Sequence, residues 1–130
     1  MQRLEKAHPL LQKLFTEAAK QCPVDIEVGE VARTRQRQAQ LVKAGASWTM
    51  NSRHIPKVPS DPKYGTSPVS HAVDFLCYVN GQLRWDWPLY AKAAVHIKEV
   101  ATKLGIDIVW GGDWKQRDGP HIELRRSVYP

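Results

Sequence analysis

"HAVDFLCYVNGQLRWDWPLYAKAAVHIKEVATKLG", residues 71–105, decides the fold. "HAVDFLCYV" reads as a strand, with valine and aromatic residues suited to a pleated, half-buried surface. Asn80-Gly81 then marks a tight hairpin, because a two-residue turn of the favoured kind needs positive φ at both positions. "QLRW" supplies the returning strand. Pro88 suits the first turn of a helix, where its missing N–H costs nothing. Leu89, Ala93, Ile97, Val100, Ala101 and Leu104 share one face of that helix, and Gly105 ends it. A strand hairpin running directly into an amphipathic helix implies a sheet with helices packed on it.

The flanking sequence extends this pattern. Residues 3–21 repeat Leu4, Ala7, Leu11, Leu14, Phe15 and Ala18 at helical spacing, and Pro23 stops the run. "VDIEVGEV" alternates Val24, Ile26 and Val28 with acidic residues, the period of a half-buried strand. "TRQRQAQLVKAG" predicts a short helix capped by Thr34, with Gly45 just past its end. From Ala46 to Ser70 periodicity disappears and four prolines fall in a long surface loop. "IDIVW" and "HIEL" read as two more strands around the loop "GGDWKQRDGP". The expected fold class is α+β: a small antiparallel sheet with helices packed on it, in a single domain spanning 1–130.

Composition sets outer limits. At 130 residues, 42% hydrophobic and 25% charged, the chain can build one real core without staples. No stretch approaches the ~18 apolar residues of a membrane span, and the first residues lack a secretory signal's continuous apolar run. Cys22 and Cys77 are far apart and form no Cys-x-x-Cys pair, so buried free thiols are expected. The net charge of +6 suits a polyanionic partner. Its basic clusters, "RTRQR" and "LRR", accompany no recognisable nucleic-acid motif. Nucleic acid is therefore not the expected partner, although a basic nucleic-acid-binding protein stands as the non-enzymatic alternative.

Five histidines carry most of the chemical potential: 8, 54, 71, 96 and 121. His8 and His96 fall on helical patterns and read as packed helical residues. The other three lie in or beside loops, near carboxylates. Catalytic zinc takes three protein ligands and keeps a fourth position for water, and His54, Asp74 and His121 could supply the three. The pleat of a regular strand puts Asp74 and His71 on opposite faces, which argues against the two as co-ligands. Asp118 precedes His121 by three residues across a Gly-Pro turn, where a carboxylate could move a proton. Glu123 shares the strand face of His121, as a rival base or a partner of that histidine.

These residues resemble a family pattern. Zinc peptidases of the VanX-like and phage L-alanyl-D-glutamate endopeptidase (endolysin) family carry Ser-x-His-x-x-Gly-x-Ala-x-Asp, then an acidic residue three before a final histidine. This chain has "SRH" at 52–54, "SHAVD" at 70–74 and "DGPH" at 118–121, with "ARTRQRQAQLVKAGAS" and "WGGDW" resembling two further family segments. The resemblance covers about residues 25–124. It implies the fold of the D-Ala-D-Ala peptidase/hedgehog-like type, with a Zn2+ cofactor held by His54, Asp74 and His121. Asp118 then matches the general base, and Arg33 the arginine that steadies the oxyanion.

The implied function is hydrolysis of the L-alanyl-D-glutamate bond in the peptidoglycan stem peptide. A D-Ala-D-Ala dipeptidase or carboxypeptidase with the same zinc site is the alternative. The resemblance further implies a monomer that stays in the host cytoplasm until a holin opens the way to the periplasm and cell wall. Two departures stand out. The family spaces its histidine and aspartate by 7 positions; here the gap is 74 − 54 = 20, so 13 residues are extra. Ser70 also replaces the family's glycine. The insertion, residues 55–69, is expected to reshape the substrate groove, and it leaves His71 as a rival ligand.

Overall fold

A computed structural model describes residues 4–47 and 49–130. Strand β1 (Asp25–Val28) pairs antiparallel with β2 (Ala72–Val79), whose far end turns into β3 (Gln82–Arg84). The hairpin forms as the sequence predicts: Asn80 (φ 52°) and Gly81 (φ 77°) are both left-handed. The start of β2 pairs with β5 (His121–Leu124), and β5 with β4 (Ile108–Trp110), again antiparallel. The path β1-β2-β5-β4, with β3 on the end of β2, makes a five-stranded antiparallel sheet. The α+β expectation holds.

Among the described residues three α-helices accompany the sheet: α1 (Pro9–Ala18), α2 (Arg35–Lys43) and α3 (Trp87–Leu104). Helices α1 and α3 bury Leu11, Leu14, Phe15, Ala93, Ala94 and Ile97 in one cluster with Phe75, Cys77 and Ile122 of the sheet. Burying such side chains contributes about 1.5–3 kcal/mol each for the larger ones, which makes this cluster the main source of stability. Helix α2 is capped as predicted, with Thr34 Oγ1 accepting from the Arg37 N–H at 3.0 Å. Cys22 and Cys77 are both free, and burial pushes the Cys77 thiol up to about 12.

The first helix differs from the sequence reading. The chain forms a 3-10 turn at Leu4–Lys6 and starts α1 only at Pro9; residue 3 lies outside the described residues. A proline disfavours helical backbone in the residue before it, and His8 is extended accordingly, at φ −50° and ψ 140°. His8 is thus a cap: its Nδ1 accepts from the Leu10 N–H at 3.1 Å. The apolar spacing of residues 4–18 is real, but Pro9 splits it between two elements.

Candidate active site

Strand register brings the first two functional side chains together. Asp74 on β2 lies directly opposite His121 on β5, so both project from the same face of the sheet. His54 reaches them from the loop. Its carbonyl accepts from the Arg33 N–H at 2.8 Å, and the neighbouring Arg53 carbonyl accepts from the His71 N–H at 3.0 Å. These bonds lay the "SRH" segment beside the start of β2.

Each ring is oriented through its second nitrogen. His54 Nδ1 lies 2.8 Å from the Val31 carbonyl, so it carries the proton and leaves the Nε2 lone pair facing Asp74 Oδ1 at 3.1 Å. His121 Nε2 lies 2.9 Å from Glu123 Oε1, and its Nδ1 faces Asp74 Oδ1 at 3.4 Å. The potential ligand atoms of His54, Asp74 and His121 all fall within 4.8 Å of one another. Donors bound about 2 Å from one tetrahedral ion lie roughly 3.4 Å apart, so this set fits a metal ion with small adjustment. Two ring nitrogens and a carboxylate converging in a half-buried position form the donor set that zinc favours.

The electrostatics agree. Burial opposes ionisation of Asp74, but its polar contacts with His121 and His54 outweigh it and hold the carboxyl well below the usual range. Burial likewise disfavours a charged His121, yet Asp74 and Glu123 raise it to about 9. The site is built to stabilise positive charge. Asp118 stands at its open side, with Oδ2 4.0 Å from His121 Nδ1. Burial, then the charge of Asp74, raises the Asp118 pKa above the ordinary carboxylate value.

The loop between β4 and β5 places Asp118. Its N–H donates to the Gly111 carbonyl at 3.0 Å, its carbonyl accepts from His121 N–H at 3.2 Å, and Trp110 Nε1 donates to the Gly119 carbonyl at 2.7 Å. The cleft over these groups has a volume of about 1330 Å³, and Glu30, Arg33, Trp114, Lys115, Gln116 and Arg126 also line it. Arg33 is held by an ion pair to Glu30 and donates from Nη1 to Gln38 Oε1 at 2.7 Å.

Known proteins carry the same arrangement of chain. A family model described as "Phage L-alanyl-D-glutamate peptidase" matches residues 1–129. The chain belongs to that family. It is 29% identical to an L-alanyl-D-glutamate peptidase of Escherichia phage T5, over 98% of this chain and 86% of that protein. Another L-alanyl-D-glutamate peptidase, of Listeria phage A118, is 30% identical over 82% of this chain but only 32% of its own length. The crystal structure of the Serratia marcescens L-Ala D-Glu endopeptidase ChiX superposes with a TM-score of 0.83 at 34% identity, covering 98% of this chain and 86% of that one.

In this peptidase the insertion does not reshape the groove as the sequence suggested. No residue of 55–69 lines the cleft. The loop closes on itself, with Lys57 and Val69 exchanging backbone hydrogen bonds of 3.0 Å, and Tyr64 packs its ring 4.7 Å from that of His8. Closure at its base lets the extra residues leave the site's geometry intact. His71 is no rival ligand: it points to this side, Nδ1 donating to the Val69 carbonyl at 3.0 Å and its ring 5.2 Å from His8. His96 sits where α3 meets α1, with Nε2 2.9 Å from the Ala18 carbonyl.

Three contributors escape sequence inspection. Ser70 is fully buried; its Oγ lies 2.8 Å from the Val31 carbonyl and accepts from the Ala72 N–H at 3.2 Å. The family's glycine is thus replaced by a residue that bonds the backbone around it. Glu30 and Gln38 hold Arg33, and only the short spacings to that arginine hint at it.

Proposed function

We propose that this peptidase hydrolyses the L-alanyl-D-glutamate bond of the peptidoglycan stem peptide, with zinc held by His54, Asp74 and His121. The observation that carries this reading is the convergence of His54 Nε2, Asp74 Oδ1 and His121 Nδ1 beside Asp118 in an open cleft. The names of its relatives supply the bond. Zinc bound there would acidify water, to a pKa of about 7, and would polarise the scissile carbonyl. Asp118 takes the proton from the attacking water and returns it to the departing D-glutamate nitrogen, for which a raised carboxyl pKa is suited. Arg33, fixed by Glu30 and Gln38, keeps a permanent positive charge at the cleft wall for the oxyanion.

An open cleft of about 1330 Å³ over the converging donors supports a peptide substrate. The +6 charge favours encounter with an anionic wall. No helix among the described residues is long and apolar enough to cross a membrane. The reading includes a monomer reaching the wall from the host cytoplasm through a holin-opened membrane. Mass spectrometry of digested peptidoglycan tests the bond. Stem peptides beginning at D-glutamate are expected, and a chelator should abolish their release. Free D-alanine with intact L-alanyl-D-glutamate linkages would establish the dipeptidase chemistry instead.

A further inference from the structure

Two histidines of the candidate metal site are held differently, and the difference singles out Glu123. His54 leans on a neutral carbonyl, that of Val31, whereas His121 Nε2 sits 2.9 Å from the buried carboxylate of Glu123. Glu123 is itself fixed from behind. Its Oε2 lies 3.9 Å from Arg53 Nε and 3.9 Å from Arg126 Nε. Arg53 is buried, and its Nη2 donates to the Leu124 and Tyr129 carbonyls at 3.2 and 2.5 Å, which anchors the guanidinium beside β5. Arg53 Nε makes no hydrogen bond among the described residues, so its place in the structure is set by charge and by those carbonyls.

A buried guanidinium is costly unless compensated, and a buried carboxylate equally so. Arg53 and Glu123 offset each other across β5, and the arrangement ends on one ring nitrogen. We propose that Glu123 is a positioning residue: as hydrogen-bond acceptor it fixes the proton of His121 on Nε2, so that Nδ1 is the atom offered to the metal, with Arg53 holding Glu123 in place. The middle residue of "SRH" thereby acts on the last metal ligand rather than on its sequence neighbour His54. A carboxylate behind a ligating histidine raises its basicity, and losing such a partner typically costs about 10–100-fold in metal affinity.

This inference rests on the metal reading above, and the experiment separates the two. Zinc affinity is measured by competition with a chromophoric chelator for the wild type, Glu123→Ala and Glu123→Gln. Glu123→Ala is expected to bind zinc about 10–100-fold more weakly. Glu123→Gln keeps an acceptor oxygen for the Nε2 proton and is expected to recover most of that loss. An affinity indifferent to Glu123→Ala, or a glutamine variant no better than alanine, overturns the proposal while leaving the metal site standing. A wild type that binds no zinc overturns the metal reading itself and this inference with it. Imidazole nitrogen NMR of the zinc-loaded wild type needs no variant to fold. Ligation of His121 through Nδ1 with a protonated Nε2 is expected, and ligation through Nε2 overturns the proposal.

Discussion

His54 and Ser70 meet at the same oxygen. The Val31 carbonyl lies 2.8 Å from His54 Nδ1 and 2.8 Å from Ser70 Oγ. A residue in the first motif and one in the second are therefore joined through a third segment, and the 15 residues between them play no part in the junction. Ser70→Ala removes a buried hydroxyl and leaves the Ala72 N–H without its side-chain acceptor. A loss of about 1–3 kcal/mol in stability follows, read by urea denaturation. His54 keeps its own bond to Val31, so kcat of the folded variant should change little. A fall in kcat with unchanged stability would contradict this division.

Asp118 is placed by backbone hydrogen bonds and stands outside the three converging donors. Asp118→Ala should therefore retain zinc at wild-type stoichiometry while losing about 10²–10⁴-fold in kcat. Metal analysis and peptide hydrolysis on the same sample check both halves. Loss of zinc together with activity would make Asp118 a ligand rather than a base.

Gly111 has no room for a side chain. A Cβ there would lie 2.5 Å from the Asp118 carbonyl oxygen and 3.0 Å from His121 Cβ. Gly111→Ala must push both residues aside. Activity should fall by at least tenfold, since small displacements of catalytic groups are costly. An alanine variant with wild-type kinetics would show that the loop yields without moving Asp118.

The elements set by local rules were legible in the sequence: the Asn80-Gly81 hairpin, the Thr34 cap, Pro88 at the start of α3 and the Gly105 stop. The convergence of His54, Asp74 and His121 was also legible, because a motif fixes residue types at positions where strand pleat and register then bring them together. What escaped depends on tertiary contact. Pro9 divides a run whose apolar spacing alone suggests one helix. The course of residues 55–69 follows from the Lys57–Val69 closure and from His8, which is far away in sequence. Gln38 looks like a surface residue of a polar helix, yet it is fully buried, with hydrogen bonds to Arg33, Ser47 and the Thr49 carbonyl.

Loop closure makes the insertion separable. Replacing residues 58–68 by a two-glycine link across the Lys57–Val69 bridge should leave hydrolysis of a short L-alanyl-D-glutamate peptide within about threefold of wild type. The loop-closure term changes only slowly with length, so the main cost is the lost Tyr64 packing on His8. A collapse of kcat in a folded deletion variant would show that the insertion supports the cleft after all.

His8 and His71 give the protein a pH-dependent stability outside the active site. Both rings are buried; burial first, and then the Arg53 charge, lowers each pKa from 6.5 to about 4. His8 and Lys57 also disfavour a charged His71. The unfolded chain therefore binds more protons than the folded one between about pH 4 and 6.5. The contribution of these two histidines is complete above pH 6.5 and is lost as the pH drops toward 4, by up to about 3 kcal/mol each. Asp74 titrates below this window and folded His121 above it, at about 9. Urea midpoints measured at pH 6.5, 5.5 and 4.5, below the range in which His121 titrates, should decline in that order. His71→Asn should roughly halve the decline, and an unchanged slope in that variant would place its origin elsewhere.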